Sequence, residues 1–442
     1  MFARKKVSGR GLFARGLSLT AAVLMLGTLA ACSGGGEPSS TASGTNPSSK
    51  YGEIELPDMN VTNSKLRMLQ PDETLVNPAK EYLEGKYGIT EVETVYVPPE
   101  EVQTKLVNSL MSNDYFDLYF SAFSPALILG GYVEPFEIDM DNALWADVQD
   151  ENEQFMWKGE RYHVVPSFKY YNMVYYNKSM FDEAGETYPT DLFDKGEWDW
   201  NKMLELAETL TIDSNRDGTP EQYGLANEEP EHILYTTGKH FITFMPDGTA
   251  RNNIQSPEVA RAVAYNQKMI QSGTLVPANG RQAFGEGSVA MCIGHRWFAY
   301  GYAKLIKTDD LGVVPLPRDP DADQYYAEED GGGYYIPKYA PNPEGALAAV
   351  NAFAYVIRSE EYVKSGYEQA IENGTWTEEL QKELDKAKQC DAGVLRNWEG
   401  FGMGDYWGDI WSRPASGEPW ETIAAELAPK IDAKIKELYE TK

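Results

Sequence analysis

The chain has 442 residues, 42% of them hydrophobic and 24% charged, with a formal net charge of −29. That length exceeds what one hydrophobic core usually serves, so two domains are expected. The acidic balance argues against nucleic acid as a partner and against electrostatic attachment to anionic lipid.

Residues 1–31 read as a secretory signal peptide, with Arg4, Lys5, Lys6, Arg10 and Arg15 before the apolar run Leu17 to Leu29. Small residues then precede Cys32, a pattern that resembles a bacterial lipoprotein box. The resemblance implies cleavage before Cys32 and a lipid on its sulfur. Removing 1–31 would take away five basic and no acidic residues, moving the net charge from −29 to −34. Residues 32–61 begin with a Ser/Gly-rich run that reads as a flexible tether.

The folded part opens with Lys65 to Gln70 as a strand, Asn77 to Tyr87 as a helix stopped by Gly88, and Ile89 to Val97 as a strand. Pro98 and Pro99 start a second helix, and Phe116 to Phe120 forms a third strand. This alternation predicts a mostly parallel sheet flanked by helices. Ligands bind at the carboxyl ends of such strands, which points to Gln70, Asp72, Glu73, Ser121 and Phe123.

Trp157 to Tyr162 reads as a hairpin turning at Lys158-Gly159. Tyr170 to Asn177 follows as a buried aromatic strand leading into a second lobe, with helices at Lys178 to Ala184 and Asp199 to Leu210. Oxygen-bearing Asp213, Asn215, Asp217, Thr219 and Glu221, with Gly218 among them, have the spacing of a calcium loop that lacks its final glutamate. A structural Ca2+ is expected there, against the alternative of an Asx-rich turn, and no other cofactor is required.

A hairpin around Asp247-Gly248, a Ser256-capped helix to Gln271 and a strand over Ser288 to Ile293 continue the chain. Arg296 and Trp297 follow that strand and read as ligand contacts, while Cys292 and His295 read as packing. A Cys292–Cys390 bridge is disfavoured but not settled by sequence. Four histidines, at 163, 232, 240 and 295, make a His-based metal or acid–base site unattractive. Strands at Leu311 to Pro315 and Gly331 to Pro337, with a polar loop between them, lead to an apolar helix from Asn342. Asn397 to Trp411 reads as an irregular aromatic loop facing a cleft, with Trp398, Glu399 and Trp407 as ligand contacts. The last helix runs from Glu418 to Tyr439 and contains Pro429.

Taken together, the lipobox, Val174 to Lys178, Trp198-Asp199-Trp200, the calcium-like loop, Phe284 to Met291, Val313 to Pro317 and Asn342 to Ala346 resemble the family 1 extracellular solute-binding proteins of carbohydrate ABC importers. The resemblance implies an α/β, two-lobe periplasmic-binding-protein fold with a ligand cleft between lobes. Lobe one is placed at 62–167 plus 309–337, and lobe two at 168–308 plus 338–442. It implies a non-catalytic, monomeric receptor, anchored outside the cytoplasm, that grips a neutral sugar and engages permease subunits. Aromatic faces such as Tyr170, Trp297, Trp398 and Trp407 would cover the sugar ring. A peptide receptor on the same fold and an anchored glycosidase remain alternatives.

Overall fold

The computed structural model describes residues 48–440, apart from 50–51, 71–73, 168–171, 228, 246, 297–298, 300–305, 307–309, 330, 360–361, 363–369, 373–375 and 396–402. Cys32, Asp72, Glu73, Tyr170, Trp297, Trp398 and Glu399 therefore lie outside the described residues.

The first sheet grows from local signals. Lys65–Gln70 buries its apolar residues, and the Val76–Tyr87 helix stops where Gly88 turns left-handed at φ 69°. Glu91–Tyr96 returns beside the first strand, Pro99–Ser112 crosses over, and Leu118–Ala122 pairs on the other side, all in parallel. Gly332–Pro337 adds an antiparallel strand, and Val133–Glu134 completes the five. Gly333 leaves no room for a side chain, because a Cβ there would lie 2.3 Å from the Val164 carbonyl oxygen.

The second sheet has the order Tyr223–Asn227, Val289–His295, Asn172–Asn177, Leu311–Pro315. Its first pair is parallel, but Asn172–Asn177 runs antiparallel to both neighbours. The expectation of a mostly parallel sheet fails here for a topological reason. This strand arrives from the first sheet and enters at the edge where the other strands leave, so Asn172 pairs with His295 and Met173 with Pro315.

Sheet membership corrects the expected lobe ranges. Leu311–Pro315 belongs to the second sheet, and Tyr326–Glu329 contacts the His232–Tyr235 helix, so the chain recrosses between Glu329 and Gly332 rather than at 309. The helix Pro343–Arg358 packs on the Val76–Tyr87 helix and the first sheet, not on the second. Its Asn342 cap explains the docking. Asn342 Oδ1 accepts from Gly345 N at 3.0 Å, while Asn342 Nδ2 donates to the carbonyls of Asn63 and Lys65. Asp117 accepts from the backbone N–H groups of Asn342 and Arg67, tying cap to sheet.

The polar stretch before Asp330 also holds a strand, Tyr326–Glu329, parallel to Asp391–Leu395. Gly404–Ala415 is a helix rather than an irregular loop. Its buried Ile410 and Trp411 share one turn, and Trp407 meets Trp411 at 5.9 Å and the Phe241 edge at 5.8 Å. The Lys158-Gly159 hairpin turn has φ of 51° and 81°, the positive pair that a tight hairpin requires.

One buried cluster surrounds the helix Pro343–Arg358 and the outer face of the first sheet. A larger one runs from Phe116 and Tyr119 to the whole second sheet. Phe123, Phe155, Trp157 and Phe244 form the bridge within it. Phe123 meets Phe155 at 5.2 Å and Phe244 at 5.1 Å, and Trp157 stacks on Phe244 at 4.9 Å. Among the described residues no helix is long and apolar enough to cross a membrane.

Candidate functional site

The strand pairings bring several loops to one edge of each sheet. On the first, Gln70 ends its strand, is buried and pairs with Tyr96, while Ser121 and Ala122 stand opposite the start of Gly332–Pro337. The Ser121 carbonyl lies 3.3 Å from His163 Nε2. Phe123 does not face solvent; its ring is packed on Phe155, His163 and Phe244, which gives it a core role in place of the expected ligand contact.

On the second sheet, Asn172 opens one strand where His295 and Asn227 close two others. Arg296 is exposed there, and its carbonyl accepts from the Tyr175 hydroxyl at 3.1 Å. Cys292 and Cys390 are both buried thiols. Trp407 is half-buried on its helix.

The densest chemistry at this edge involves residues read from sequence as packing or passed over. Asn172, His232, His295, Glu231 and Glu328 are all buried, and the less buried Glu229 joins them. Glu229 lies 3.2 Å from His232 Nε2, 2.9 Å from His295 Nε2 and 2.7 Å from the Arg281 guanidinium. Behind the imidazoles, His232 Nδ1 is 3.1 Å from Glu328, and His295 Nδ1 is 2.9 Å from Asn172 Oδ1. The Asn172 amide nitrogen donates to Glu328 and lies 2.9 Å from His232 Nδ1. That direction leaves Asn172 Oδ1 to accept, which places a proton on His295 Nδ1.

Burial acts on His232, His295, Glu229 and Glu231. It would lower the His232 pKa, but Glu328, Glu229 and Glu231 outweigh it and raise it to about 9. Burial lowers the His295 pKa despite Glu229, with His232 and Arg281 adding to the fall. Burial would raise the Glu229 carboxyl, yet hydrogen bonds from His232 and His295 hold it well below the usual carboxylate range. Burial pushes Glu231 up to about 7. In sequence, 63 positions separate His232 from His295, so no local motif announces the cluster.

The loop expected to bind calcium is curled by Asx turns. Asp213 accepts from Gly218 N at 2.9 Å, Asn215 from Asp217 N at 2.7 Å, and Asp217 from Thr219 N at 2.8 Å. Glu221 is engaged by Ser214 N and the Asn215 amide. Asp213 Oδ1 is buried without a hydrogen-bond partner, an oxygen that a cation would satisfy. The carboxylates of Asp213, Asp217 and Glu221 do not gather within 4.8 Å of one another.

Comparison with known proteins agrees with the two-sheet architecture. The model for "Bacterial extracellular solute-binding protein" matches residues 78–392. The maltodextrin-binding protein MdxE of Bacillus subtilis is 23% identical, over 97% of this chain and 99% of the relative. Among solved structures, the sugar-binding protein MalE of Xanthomonas citri superposes with a TM-score of 0.64 at 15% identity, covering 86% of this chain and 100% of that one. The cyclic alpha-maltosyl-1,6-maltose binding protein of Arthrobacter globiformis gives 0.61 at 17%, covering 84% and 99%. These structures share the two-lobe periplasmic-binding-protein fold. The family match covers most of both sheets, all but the Lys65–Gln70 strand: the chain belongs to the bacterial extracellular solute-binding protein family.

Proposed function

We propose that this protein is an extracytoplasmic receptor for a neutral oligosaccharide of the maltodextrin type. The observation that carries the reading is the near end-to-end match to a maltodextrin-binding protein, which covers 97% of this chain and 99% of the relative. The residues expected to contact ligand fit the chemistry. Gln70, Ser121 and Arg296 offer donors and acceptors for hydroxyls, as would Asp72, Glu73 and Glu399. Trp407, Tyr170, Trp297 and Trp398 offer aromatic faces for the apolar C–H side of a sugar ring.

The finer parts of the proposal rest on sequence. Lipid on Cys32 would hold the receptor at the membrane, and hinge closure would present the loaded form to ABC permease subunits. Calcium at the Asp213–Glu221 loop would act as a structural ion, a reading supported by ligand spacing and by the unpartnered Asp213 oxygen.

Calorimetry of the purified chain against maltose through maltoheptaose, with di- and tripeptides alongside, tests the ligand class. Saturable heat with the sugars and none with the peptides is expected. Heat with peptides alone would overturn the reading, and hydrolysis products in the sugar samples would replace it with a glycosidase. Cys32→Ser should move the protein from the membrane fraction to the soluble one.

A further inference from the structure

We propose that Glu229, His232 and His295 form a binding site for a divalent transition metal ion of the zinc class at the edge of the second sheet. Each residue offers one ligand atom, and these atoms lie within 4.8 Å of one another. Two imidazoles and one carboxylate are a donor set that suits zinc and leaves a fourth position open.

The three side chains are close enough to share one ion. Zinc bonds of about 2.0–2.1 Å place neighbouring ligand atoms of a tetrahedron about 3.3 Å apart. Glu229 Oε2 lies 3.2 Å from His232 Nε2 and Glu229 Oε1 lies 2.9 Å from His295 Nε2, so the carboxylate reaches both imidazoles. The two rings stand at 78° with centroids 5.8 Å apart, so both present their Nε2 edges to Glu229 without stacking.

The supporting groups strengthen the assignment. A metal-bound imidazole uses one nitrogen for the ion and donates from the other to a carboxylate or carbonyl. His232 has Glu328 behind Nδ1 at 3.1 Å, and His295 has the Asn172 carbonyl behind Nδ1 at 2.9 Å. Glu328 is buried, and its Oε1 has no hydrogen-bond partner. Glu229, Glu231 and Glu328 supply three carboxyl groups around the two imidazoles, and a divalent cation would offset them.

Arg281 is the competing cation. Its guanidinium lies 2.7 Å from Glu229 and 3.5 Å from His295 Nε2. The side chain is 31% exposed, so it has a path into solvent when an ion enters. The site is independent of the sugar reading, since the ion is measured with no sugar present.

The test uses the untagged full chain, stripped with chelator and titrated calorimetrically with Zn2+, with Mg2+ as the comparison ion. One equivalent of Zn2+ should bind, and Mg2+ should not compete. His232→Ala or Glu229→Gln should weaken zinc by roughly 100-fold or more, and Glu328→Gln by roughly 10–100-fold. Arg281→Gln should tighten it. Co2+ added to the wild type should give the visible absorption of a nitrogen-ligated, low-coordinate ion, and His295→Gln should lose it. The cobalt spectrum keeps the proposal testable should His232→Ala fail to fold. Absence of stoichiometric zinc binding by the wild type would overturn the assignment, as would binding that survives all these substitutions.

Discussion

Asn172 and His295 face each other across two antiparallel strands, the first residue of one against the last of the other, with His295 Nδ1 2.9 Å from Asn172 Oδ1. The pair converts strand register into side-chain chemistry. The same Asn172 amide also holds Glu328, so one buried residue joins three segments of chain. Asn172→Leu would leave Glu328 and the His295 Nδ1–H without this partner. We expect a loss of about 2–4 kcal/mol in urea unfolding, from stranding buried polar groups and a carboxylate. A loss below about 0.5 kcal/mol would show that the network contributes nothing to the fold.

His163 sets an acid limit. It is fully buried among Phe123, Phe155 and Tyr335, and burial lowers its pKa to about 3. The folded chain therefore binds fewer protons here than the unfolded chain, whose His titrates near 6.5. Its stability contribution is retained above that value and lost as pH falls from about 6.5 toward 3, with a slope reaching about 1.4 kcal/mol per pH unit. Denaturation series at pH 7, 6 and 5 should show His163→Leu less acid-sensitive than wild type; parallel curves would refute this.

Gly224 is a steric requirement of the second sheet. A Cβ there would sit 1.9 Å from the carbonyl oxygen of Ala207, which is backbone and cannot swing aside. Gly224→Ala should cost at least about 2 kcal/mol by forcing the Trp200–Thr209 helix off the sheet. Gly85→Ala is the control, since nothing lies within 4 Å of its added Cβ. Equal thermal midpoints for the two variants would contradict the packing described.

The Asp213 loop is addressed by chelation. A calcium ion bound at 100 times its dissociation constant adds about 2.7 kcal/mol to stability. Adding chelator to calcium-loaded protein should lower the melting temperature by several degrees, and Asp213→Ala should remove that response. A melting temperature unmoved by chelator would leave the loop as a self-sufficient Asx turn.

Local punctuation made much of the fold legible. Gly88 after its helix, Ser256 before Pro257, and Lys158-Gly159 between paired strands each act within a few residues, where sequence and structure are closely coupled. The strand Tyr326–Glu329 escaped because its partner, Asp391–Leu395, lies over 60 residues away and its own sequence is polar. Gly404 to Trp411 reads as part of a loop because glycine and aromatics are weak helix formers, and packing of Ile410 and Trp411 overrides that preference. The histidine cluster carries no local motif, since His232 and His295 are brought together only by the fold.

The sequence alone determined most of the strands and helices, because periodicity, caps and turns act within short windows, and its scattered motifs carried the resemblance to the solute-binding family and its two-lobe α/β fold. Only the tertiary structure decided which sheet each crossing strand joins and which polar residues meet. His232 reaches Glu328 across 96 positions and Asn172 reaches His295 across 123. Contacts at such separations depend on register and crossover between whole sheets, and no local pattern of residues encodes them.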